Sequence, residues 1–311
     1  IIIATNERDP AFSDVYRVYI KTGERTLALR NTHGFEDFLI SQRMEVLLAR
    51  STDEASGDFI IHSQDENGTW FQVMRVAYED TRGFRMLGSA SNEPLAYLLD
   101  STGRDVLTLV SLNLETGDRQ VVAIDERSDI VEVVSDPVSN IPIAYATNYA
   151  GKSWTAVPGR LAKGEILEKL SAKVEGRLDF HAWSPDGNGF TAYVSGQQPA
   201  YYVQADVTTN SVERLLEVYP SLTEYEFSVP TPAVITTRDN QEMVLWYTLP
   251  HGSDPEGDGI PNAPAPTVML PHGGPWDQSR EGFDPWTQWL ANRGYAVIMP
   301  NFRGSTGYGK A

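Results

Sequence analysis

The chain has no cysteine among its 311 residues. This absence excludes disulfides, thiolate metal sites and a cysteine nucleophile within the sequence. Apolar runs are also short: none reaches the roughly 18 residues that a membrane-spanning helix needs, so we expect no membrane association. The apolar start, Ile1–Ala4, is too short for a signal peptide and no basic region precedes it. We therefore expect this start to be internal to a longer chain, which leaves the cytoplasm, the periplasm and secretion open.

Basic residues are scarce. The sequence has 25 Lys and Arg against 42 Asp and Glu, a formal net charge of −17. Binding to a phosphate backbone requires a basic surface that releases counterions, so this balance argues against a nucleic-acid partner. A soluble protein with an acidic surface is the expected interpretation, and the sequence leaves the oligomeric state open.

The first 220 or so residues read as short strands that recur with a period near 47 residues. Segments rich in Val, Ile, Tyr and Leu begin at intervals of 43, 48, 48 and 47 residues, each with another apolar run before it and a turn after it. Four strands per period predict the blades of a β-propeller, with a β-sandwich array as the alternative. The segments begin at Asp14, Gly57, Asp105, Ser153 and Ala200, and the turns that follow them are Thr22-Gly23, Asn67-Gly68, Thr116-Gly117, Lys163-Gly164 and Thr209-Asn210.

Two local signals refine the propeller prediction. Ser184-Pro185-Asp186-Gly187 is a tight-turn sequence of the kind that joins the first two strands of many blades. Long amphipathic helices are missing from this half, and the best candidate, Glu165–Ala172, is short. Five units can be counted, the first without its opening strand, so we expect further blades upstream.

The pattern changes after Ser221. A hairpin is predicted from Ala233–Thr237 and Met243–Leu249, then a buried strand over Thr267–Leu270. A helix is predicted over Phe283–Arg293, and a second buried strand follows at Tyr295–Met299. A strand, a helix and a strand in this order indicate a parallel pair with a right-handed crossover.

The predicted helix carries the usual boundary signals. Asp284 is the expected N-cap, Pro285 the first helical residue and Gly294 the stop. The spacing predicts one apolar face, made of Phe283, Trp286, Trp289 and Leu290.

The segment between the hairpin and the next strand is rich in Pro, Gly and Asp and is predicted to be a surface loop, over residues 251–266. Its acidic residues do not match the twelve-residue spacing of a calcium loop. We therefore expect neither a metal nor a cofactor.

Adjacent glycines follow the strand at 267–270, in the sequence Pro271-His272-Gly273-Gly274-Pro275-Trp276. In α/β-hydrolases, an HGG-type loop after the third strand supplies one backbone N–H to the oxyanion hole. Glycine suits such a loop because a β-carbon would obstruct close approach of the substrate carbonyl. One such donor is worth about 3–4 kcal/mol in the transition state.

These residues carry a family resemblance. The sequence "LPHGGPW", with "NFRGSTGYG" about 30 residues later, resembles the start of the catalytic domain of the prolyl-oligopeptidase family of serine peptidases. It is most similar to the acylaminoacyl-peptidase and dipeptidyl-peptidase branch, and the resemblance covers residues 231–311. It implies propeller blades over residues 1–225, the start of an α/β-hydrolase domain over 226–311, and a propeller that limits access for peptide substrates.

The resemblance also implies roles for individual residues. Gly274 is expected to supply the oxyanion N–H, and Gly273 to support the turn. Tyr308 and Arg303, in the loop after the last strand, are candidates for substrate contacts, with packing or solvated roles as the alternative. His272 is expected to be structural, because the family's triad base lies elsewhere.

Other candidates are weaker. Trp276 and Trp286 are expected to pack at the boundary between propeller and hydrolase. Some relatives read a peptide N-terminus with acidic propeller residues; Glu126, Glu132 and Glu165 could be offered here, but surface roles are expected for all three.

The nucleophile is missing from the sequence. The hydrolase order is Ser in a G-x-S-x-G elbow, then Asp or Glu, then His, and no G-x-S-x-G occurs. The nearest match, Gly151–Thr155, lacks the final glycine and lies in a predicted blade. We therefore expect an internal fragment of a serine peptidase that is inactive alone. An esterase on the same scaffold and a non-catalytic binding propeller are the alternatives.

Overall fold

The computed structural model of the chain describes residues 1–159, 163–174, 176–274 and 276–310. This described part divides into two compact units. Unit 1 comprises Ile1–Ile124 and Val138–Pro142, and unit 2 comprises Asp125–Pro137 and Ile143–Ala311.

Unit 1 contains three antiparallel sheets, each built from strands that follow one another in the sequence. Their orders are β1-β2-β3, β4-β5-β6-β7 and β11-β10-β9-β8. A short 3-10 helix, Tyr78–Asp80, precedes β8. The strands are β1 (Ile2–Asp9), β2 (Phe12–Tyr19), β3 (Glu24–Leu29), β4 (Asp37–Ile40), β5 (Val46–Thr52), β6 (Phe59–Gln64), β7 (Trp70–Val76), β8 (Arg85–Ser89), β9 (Leu95–Asp100), β10 (Thr108–Asn113) and β11 (Arg119–Ala123).

Unit 2 contains two further antiparallel sheets, β12-β13-β14 and β15-β16-β17-β18, and a mixed sheet in the order β19-β20-β22-β21. A 3-10 helix, Pro220–Leu222, follows β18. The elements are β12 (Ile130–Ser135), β13 (Pro142–Asn148), β14 (Lys152–Ala156), α1 (Lys163–Ser171), β15 (Arg177–Trp183), β16 (Gly189–Ser195), β17 (Tyr201–Asp206), β18 (Ser211–Glu217), β19 (Pro230–Thr236), β20 (Glu242–Thr248), β21 (Thr267–Met269), α2 (Pro285–Ala291) and β22 (Ala296–Pro300).

The predicted repeat is confirmed, and with it the β-propeller fold class. The five recurring segments form β2, β6, β10, β14 and β17. Along the chain, β6, β10, β14 and β17 are each the third strand of their sheets, and β2 is the second of a sheet that lacks the expected opening strand. Strands that pair consecutively within one sheet form blades, whereas a sandwich exchanges strands between two sheets. The first sheet has three strands, as the missing opening strand predicted.

The Ser184–Gly187 turn lies where a blade requires it, between β15 and β16. The Gly187 N–H donates to the Ser184 carbonyl at 2.9 Å, and Gly187 has a φ of +69°. Asp186 accepts from the Ser184 hydroxyl at 2.5 Å and from the Asn188 N–H at 3.1 Å. These side-chain hydrogen bonds stabilise the turn that joins β15 to β16.

A helix takes the place of the expected fourth strand in the β12–β14 sheet. The predicted turn at Lys163-Gly164 is wrong, because these two residues begin α1. Gly164, Leu167 and Leu170 are buried at a helical spacing of three. A β-carbon on Gly164 would lie 2.2 Å from the Ile143 carbonyl oxygen. This close approach lets the helix pack directly on the sheet.

The mixed sheet confirms the predicted change of architecture. β19 and β20 form the hairpin, with Asn240 at a φ of +63° in its turn. β21 pairs in parallel with β22, and α2 lies between them in the sequence. Trp246, Val297 and Met299 form the core on this sheet.

The predicted apolar face of α2 is wrong in part. Asp284 does cap the helix by accepting from the Thr287 N–H at 2.7 Å. Trp286 and Trp289, however, are 70% and 51% exposed, while Thr287, Gln288 and Ala291 are buried. Polar contacts set this rotation: the Gln288 amide donates to the Ser228 carbonyl at 2.8 Å and accepts from its N–H at 3.0 Å.

Neither of the two tryptophans that were predicted to pack at a domain boundary is buried. Trp276 is 62% exposed, and Trp286 contacts Trp289 edge-to-face with ring centroids 6.5 Å apart. Of the predicted face, Leu290 packs against the core of the sheet, and Phe283 contacts Phe227 with ring centroids 4.9 Å apart.

Candidate oxyanion loop

The glycine loop begins where a parallel strand ends. β21 stops at Met269, and the Leu270 N–H still donates to the Ile298 carbonyl of β22 at 2.8 Å. Residues 271–284 then connect this strand to α2. The loop therefore occupies the position between the third strand of the sheet and its first helix, where hydrolases carry an oxyanion donor. Pro275 of the motif lies outside the described residues.

The two glycines have different backbone requirements. Gly274 has a φ of +132°, and a β-carbon there would lie 2.6 Å from the Trp276 nitrogen. A β-carbon on Gly273 would meet nothing within 4 Å. Both residues are exposed. The need for glycine thus falls on Gly274, whose bare backbone is open to a reacting group.

His272 is bonded on both sides of its ring. Its Nδ1 lies 2.7 Å from the Gly273 carbonyl oxygen, and its Nε2 lies 2.7 Å from the Ser305 hydroxyl. The ring also stacks on Phe302, with centroids 4.5 Å apart. The sequence offered no acidic partner for His272, and the partners found are the carbonyl of the adjacent Gly273 and the Ser305 hydroxyl in the loop after β22.

Arg303 forms an ion pair with Asp239 in the turn of the β19–β20 hairpin. The pKa of Asp239 is lowered to about 2, mainly by a hydrogen bond from the Thr237 hydroxyl and next by the bond to Arg303. Arg303 is 75% exposed. Its guanidinium is engaged at the hairpin, so its predicted substrate contact stays a prediction.

Tyr308 is packed inside unit 2. Its hydroxyl accepts from the Asn301 amide at 2.7 Å and donates to the Tyr149 carbonyl at 3.3 Å. Burial raises the pKa of Tyr308 well above its usual value. Its ring meets that of Tyr149 edge-to-face, with centroids 5.8 Å apart. A substrate role for Tyr308 likewise stays a prediction.

An amide network that the sequence did not reveal joins the two loops. Gln278 donates to the Thr306 carbonyl at 2.7 Å and accepts from the Asn148 amide at 2.5 Å. Asn301 accepts from the Ser279 N–H at 2.6 Å and donates to its carbonyl at 3.0 Å. Asn301, a polar residue directly after β22, was the one feature of the sequence that could have indicated this network. Nothing in the sequence distinguishes Gln278.

The three acidic candidates lie in different surroundings. Glu126 is exposed, and Glu165 pairs with Lys169 on the surface of α1 at 3.0 Å. Glu132, in contrast, forms an ion pair with Lys152, whose side chain is only 4% exposed. The surface role expected for Glu132 is therefore wrong.

Lys152 holds two carboxylates together. Its ammonium lies 2.5 Å from Asp179, and Arg177 contacts the same oxygen of Asp179 at 2.8 Å. Burial raises the pKa of Glu132, because Lys152 offsets its desolvation only in part. Burial acts the same way on Asp179, but Lys152 and Arg177 together outweigh it and lower the pKa of that carboxyl. The opposite directions follow from the second cation beside Asp179.

Across residues 1–159, 163–174, 176–274 and 276–310, no group of three or more His, Asp or Glu side chains is placed to hold a metal ion. Within the same residues, no helix has the length and apolar character to cross a bilayer.

The curated relatives of the chain carry peptidase names. No family model matches the chain. It is 30% identical over 311 residues to dipeptidyl aminopeptidase BIII of Pseudoxanthomonas mexicana, and 25% identical over 334 residues to dipeptidyl peptidase family member 6 of Caenorhabditis elegans. Each match takes in 100% of the chain but 45% of the relative, so the chain spans less than half the length of either.

Solved structures show the same fold. A structure from a study of two prolyl endopeptidases matches with a TM-score of 0.66 over 99% of the chain and 44% of its own length. Its sequence identity is 13%, so this likeness concerns the fold alone. Both curated relatives are peptidases by name, and both align along the whole chain, the glycine loop included.

Proposed function

We propose that the chain belongs to the prolyl-oligopeptidase family of serine peptidases and that it is part of a longer enzyme that hydrolyses short peptides by acyl transfer. Residues 1–225 are blades of the propeller, and residues 226–311 begin the α/β-hydrolase domain. The 45% coverage of both curated relatives supports a longer protein.

The proposed reaction follows the serine-hydrolase pattern. A serine outside these 311 residues attacks the peptide carbonyl, a histidine transfers its proton to the leaving amine, and an acid orients that histidine. Residues of this chain contribute to the stabilisation of the oxyanion. As the carbonyl becomes tetrahedral, its oxygen gains charge, and the Gly274 N–H donates to it.

One observation carries this proposal. Gly274 combines a positive φ, a position that no β-carbon could occupy, and exposure at the end of a parallel strand. A backbone donor held in this way needs no reorganisation when charge develops, and removing one such donor typically costs about 100- to 1000-fold in kcat. Gly273 supports the turn without needing to be glycine.

The proposed substrates are peptides that reach the site past the propeller. The relatives carry the names dipeptidyl aminopeptidase and dipeptidyl peptidase, which favours cleavage near a free N-terminus. Arg303 and Tyr308 lie in the loop after β22 and would face substrate only if their present partners release them. Neither a nucleic acid nor a membrane is proposed as a partner.

The test uses the longer protein. A fluorophosphonate probe should label it, and it should cleave dipeptidyl p-nitroanilides with a free N-terminus. Cleavage of p-nitrophenyl esters without cleavage of these anilides would support the esterase alternative, and no labelling would support a binding propeller. The 311-residue chain alone is the matched control, because it lacks the nucleophile. A covalent adduct on that chain would contradict the assignment.

A further inference from the structure

A cavity of about 510 Å³ lies beside α1, the helix that takes the place of a strand in the β12–β14 sheet. One wall is formed by the end of α1, and the other by β17 and β18 of the next sheet. β18 is the outermost strand of that sheet. Sites for small ligands usually enclose about 300–1,000 Å³, so the cavity is large enough to hold one.

The floor of the cavity is apolar. Leu170 of α1 and Val203 of β17 belong to the hydrophobic core of unit 2 and are 4% and 3% exposed. Val174 packs against the same core, and Val212 of β18 is 42% exposed. An apolar group that filled the cavity would remove this surface from water, so the floor favours an occupant with an apolar side chain.

Arg214 of β18 lines the cavity, and two contacts hold its guanidinium. Its Cζ lies 3.7 Å from the centroid of the Tyr201 ring, and its Nε lies 2.8 Å from Oε1 of Glu217. The other oxygen of Glu217 is buried and has no hydrogen-bond partner among the described residues, so this ion pair has a single close contact. The two Nη groups of Arg214 can therefore bind the two oxygens of another carboxylate, which a guanidinium contacts as a fork.

A second cation, Lys173, lines the same cavity just beyond the end of α1. Its N–H and that of Val174 donate to the Leu170 carbonyl at 3.0 and 3.1 Å, so this carbonyl at the helix end is already satisfied. Within the part of the chain that the structure describes, Lys173 forms no ion pair with a carboxylate. The charged residues among those lining the cavity are both cations, on a chain with a formal net charge of −17. The cavity therefore favours an occupant with a negative charge.

We propose that this cavity binds the C-terminus of a peptide whose last residue is apolar. The terminal carboxylate contacts Arg214 and Lys173, and the last side chain packs on Leu170, Val203 and Val212. A C-terminal residue suits the cavity because its carboxylate and its side chain branch from one carbon, so a single residue reaches both the cations and the floor. The inference goes beyond the proposed function, since it assigns binding to the cavity and no step of hydrolysis.

The test measures peptide binding to the longer protein after treatment with a fluorophosphonate, so that the peptides are not cleaved. Three pentapeptides carry the same N-terminal fluorophore and end in leucine acid, leucine amide or glycine acid, and fluorescence anisotropy gives their Kd. We expect the leucine acid to bind about tenfold more tightly than the amide, which lacks the charge-assisted hydrogen bonds. It should also bind about tenfold more tightly than the glycine acid, which leaves the floor uncovered.

Two variants test the cations. Arg214→Gln and Lys173→Gln should each weaken binding of the leucine acid about tenfold and leave binding of the amide unchanged. Both side chains are exposed, so both variants should unfold at the urea concentration of the wild type. Peptide binding does not depend on turnover, so these outcomes stand even if the longer protein proves not to be a peptidase.

Arg25→Gln is the matched control. Arg25 also lies on an outermost strand, β3, where it faces the Tyr16 ring and pairs with Glu7 at 2.8 Å. It is not among the residues that line the cavity. This variant should therefore bind all three peptides with the affinity of the wild type.

A crosslink locates the bound peptide. A pentapeptide that ends in the diazirine analogue of leucine should, after irradiation, form an adduct on α1, β17 or β18, which mass spectrometry identifies. An adduct confined to other segments, equal affinity for acid and amide, or wild-type binding in both cavity variants would overturn the inference. Tighter binding of decanoate than of the leucine acid would also overturn it, because the occupant would then be a fatty acid and not a peptide end.

Discussion

The side-chain amide of Asn148 donates a 2.5 Å hydrogen bond to the Oε1 of Gln278, across 130 residues of sequence. Asn148 is the last residue of β13, and Gln278 lies in the loop that carries the glycines. The same Gln278 donates to the Thr306 carbonyl in the loop after β22. A β-carbon on Gly307 would lie 2.2 Å from the Gln278 amide nitrogen, so these segments are in close contact. One glutamine therefore links a blade strand to both loops of the candidate site.

We expect Gln278→Ala to destabilise unit 2. Removing the glutamine leaves the buried Asn148 amide without its acceptor, and an unsatisfied buried polar group costs about 1–3 kcal/mol in the free energy of unfolding. Urea unfolding followed by circular dichroism measures the change. Gln72→Ala is the control, because Gln72 is exposed on β7. If both variants unfold at the same urea concentration, the link is not stabilising.

Lys152→Met should be strongly destabilising near neutral pH. It leaves the half-buried carboxylates of Glu132 and Asp179 without the buried cation that they share, and breaking a fully buried pair costs about 3–5 kcal/mol, which is the upper bound here. Without the cation, both folded-state pKa values rise, so the penalty is present while the groups are ionised and shrinks as pH falls through those values. Urea midpoints at pH 7 and pH 4.5 measure this trend.

The control for that variant is Lys169→Met. Lys169 pairs with Glu165 at 3.0 Å on the surface of α1, where both side chains are more than half exposed. Exposed pairs of this kind contribute about 0.3–0.5 kcal/mol. A Lys152 variant no less stable than the Lys169 variant would contradict the buried-pair assignment.

Asp14 should make the stability of unit 1 depend on pH. The Arg8 guanidinium donates to the two carboxylate oxygens of Asp14 at 2.7 and 2.8 Å. The pKa of Asp14 is lowered to about 2, mainly by Arg8 and to a smaller extent by the Asn31 N–H. A lowered folded-state pKa contributes stability above the unfolded value of about 3.9, and this stability is lost as pH falls towards 2. Asp14→Asn should remove this dependence and lower the urea midpoint at pH 7.

Asp9→Asn is the matched control for Asp14, because Asp9 approaches the same Arg8 at 3.8 Å from a more exposed position. It should leave the urea midpoint and its pH dependence close to those of the wild type. Equal effects of the two substitutions would show that Asp14 has no special role.

The two glycines of the loop should respond differently to alanine. In the longer protein, Gly274→Ala forces a β-carbon to within 2.6 Å of the Trp276 nitrogen, so the loop must shift. We expect kcat to fall about 100-fold or more, the usual effect of a lost oxyanion donor. Gly273→Ala, which meets nothing within 4 Å, should retain most of its activity. Comparable losses in both variants would contradict the assignment of the donor to Gly274.

The sequence predicted the elements whose signals are local. Strand composition and turn residues recur in each blade, so the period near 47 residues predicted the five sheets. The caps of α2 and the strands around it were also predictable, because Asp284 and Pro285 act within one turn of helix. Even the missing opening strand of the first sheet followed from the repeat.

Contacts between distant segments decided the rest. Whether Lys163-Gly164 forms a turn or begins a helix depends on the Ile143 carbonyl, about 20 residues away. The rotation of α2 depends on Ser228, which is 60 residues from Gln288. No periodicity within the helix reports such a partner, and the tryptophan spacing therefore predicted the wrong buried face.

The same division applies to the candidate site. The sequence by itself determined that residues 272–274 form a glycine loop after a strand, because both features are local. The burial predicted for that strand is wrong, since Thr267 and Met269 of β21 are exposed. Only the tertiary structure decided that the positive φ falls on Gly274 and that His272 bonds Ser305, 33 residues later. Hydrogen bonds between loops depend on where the parallel strands bring their ends together, and that position follows from packing of the whole sheet.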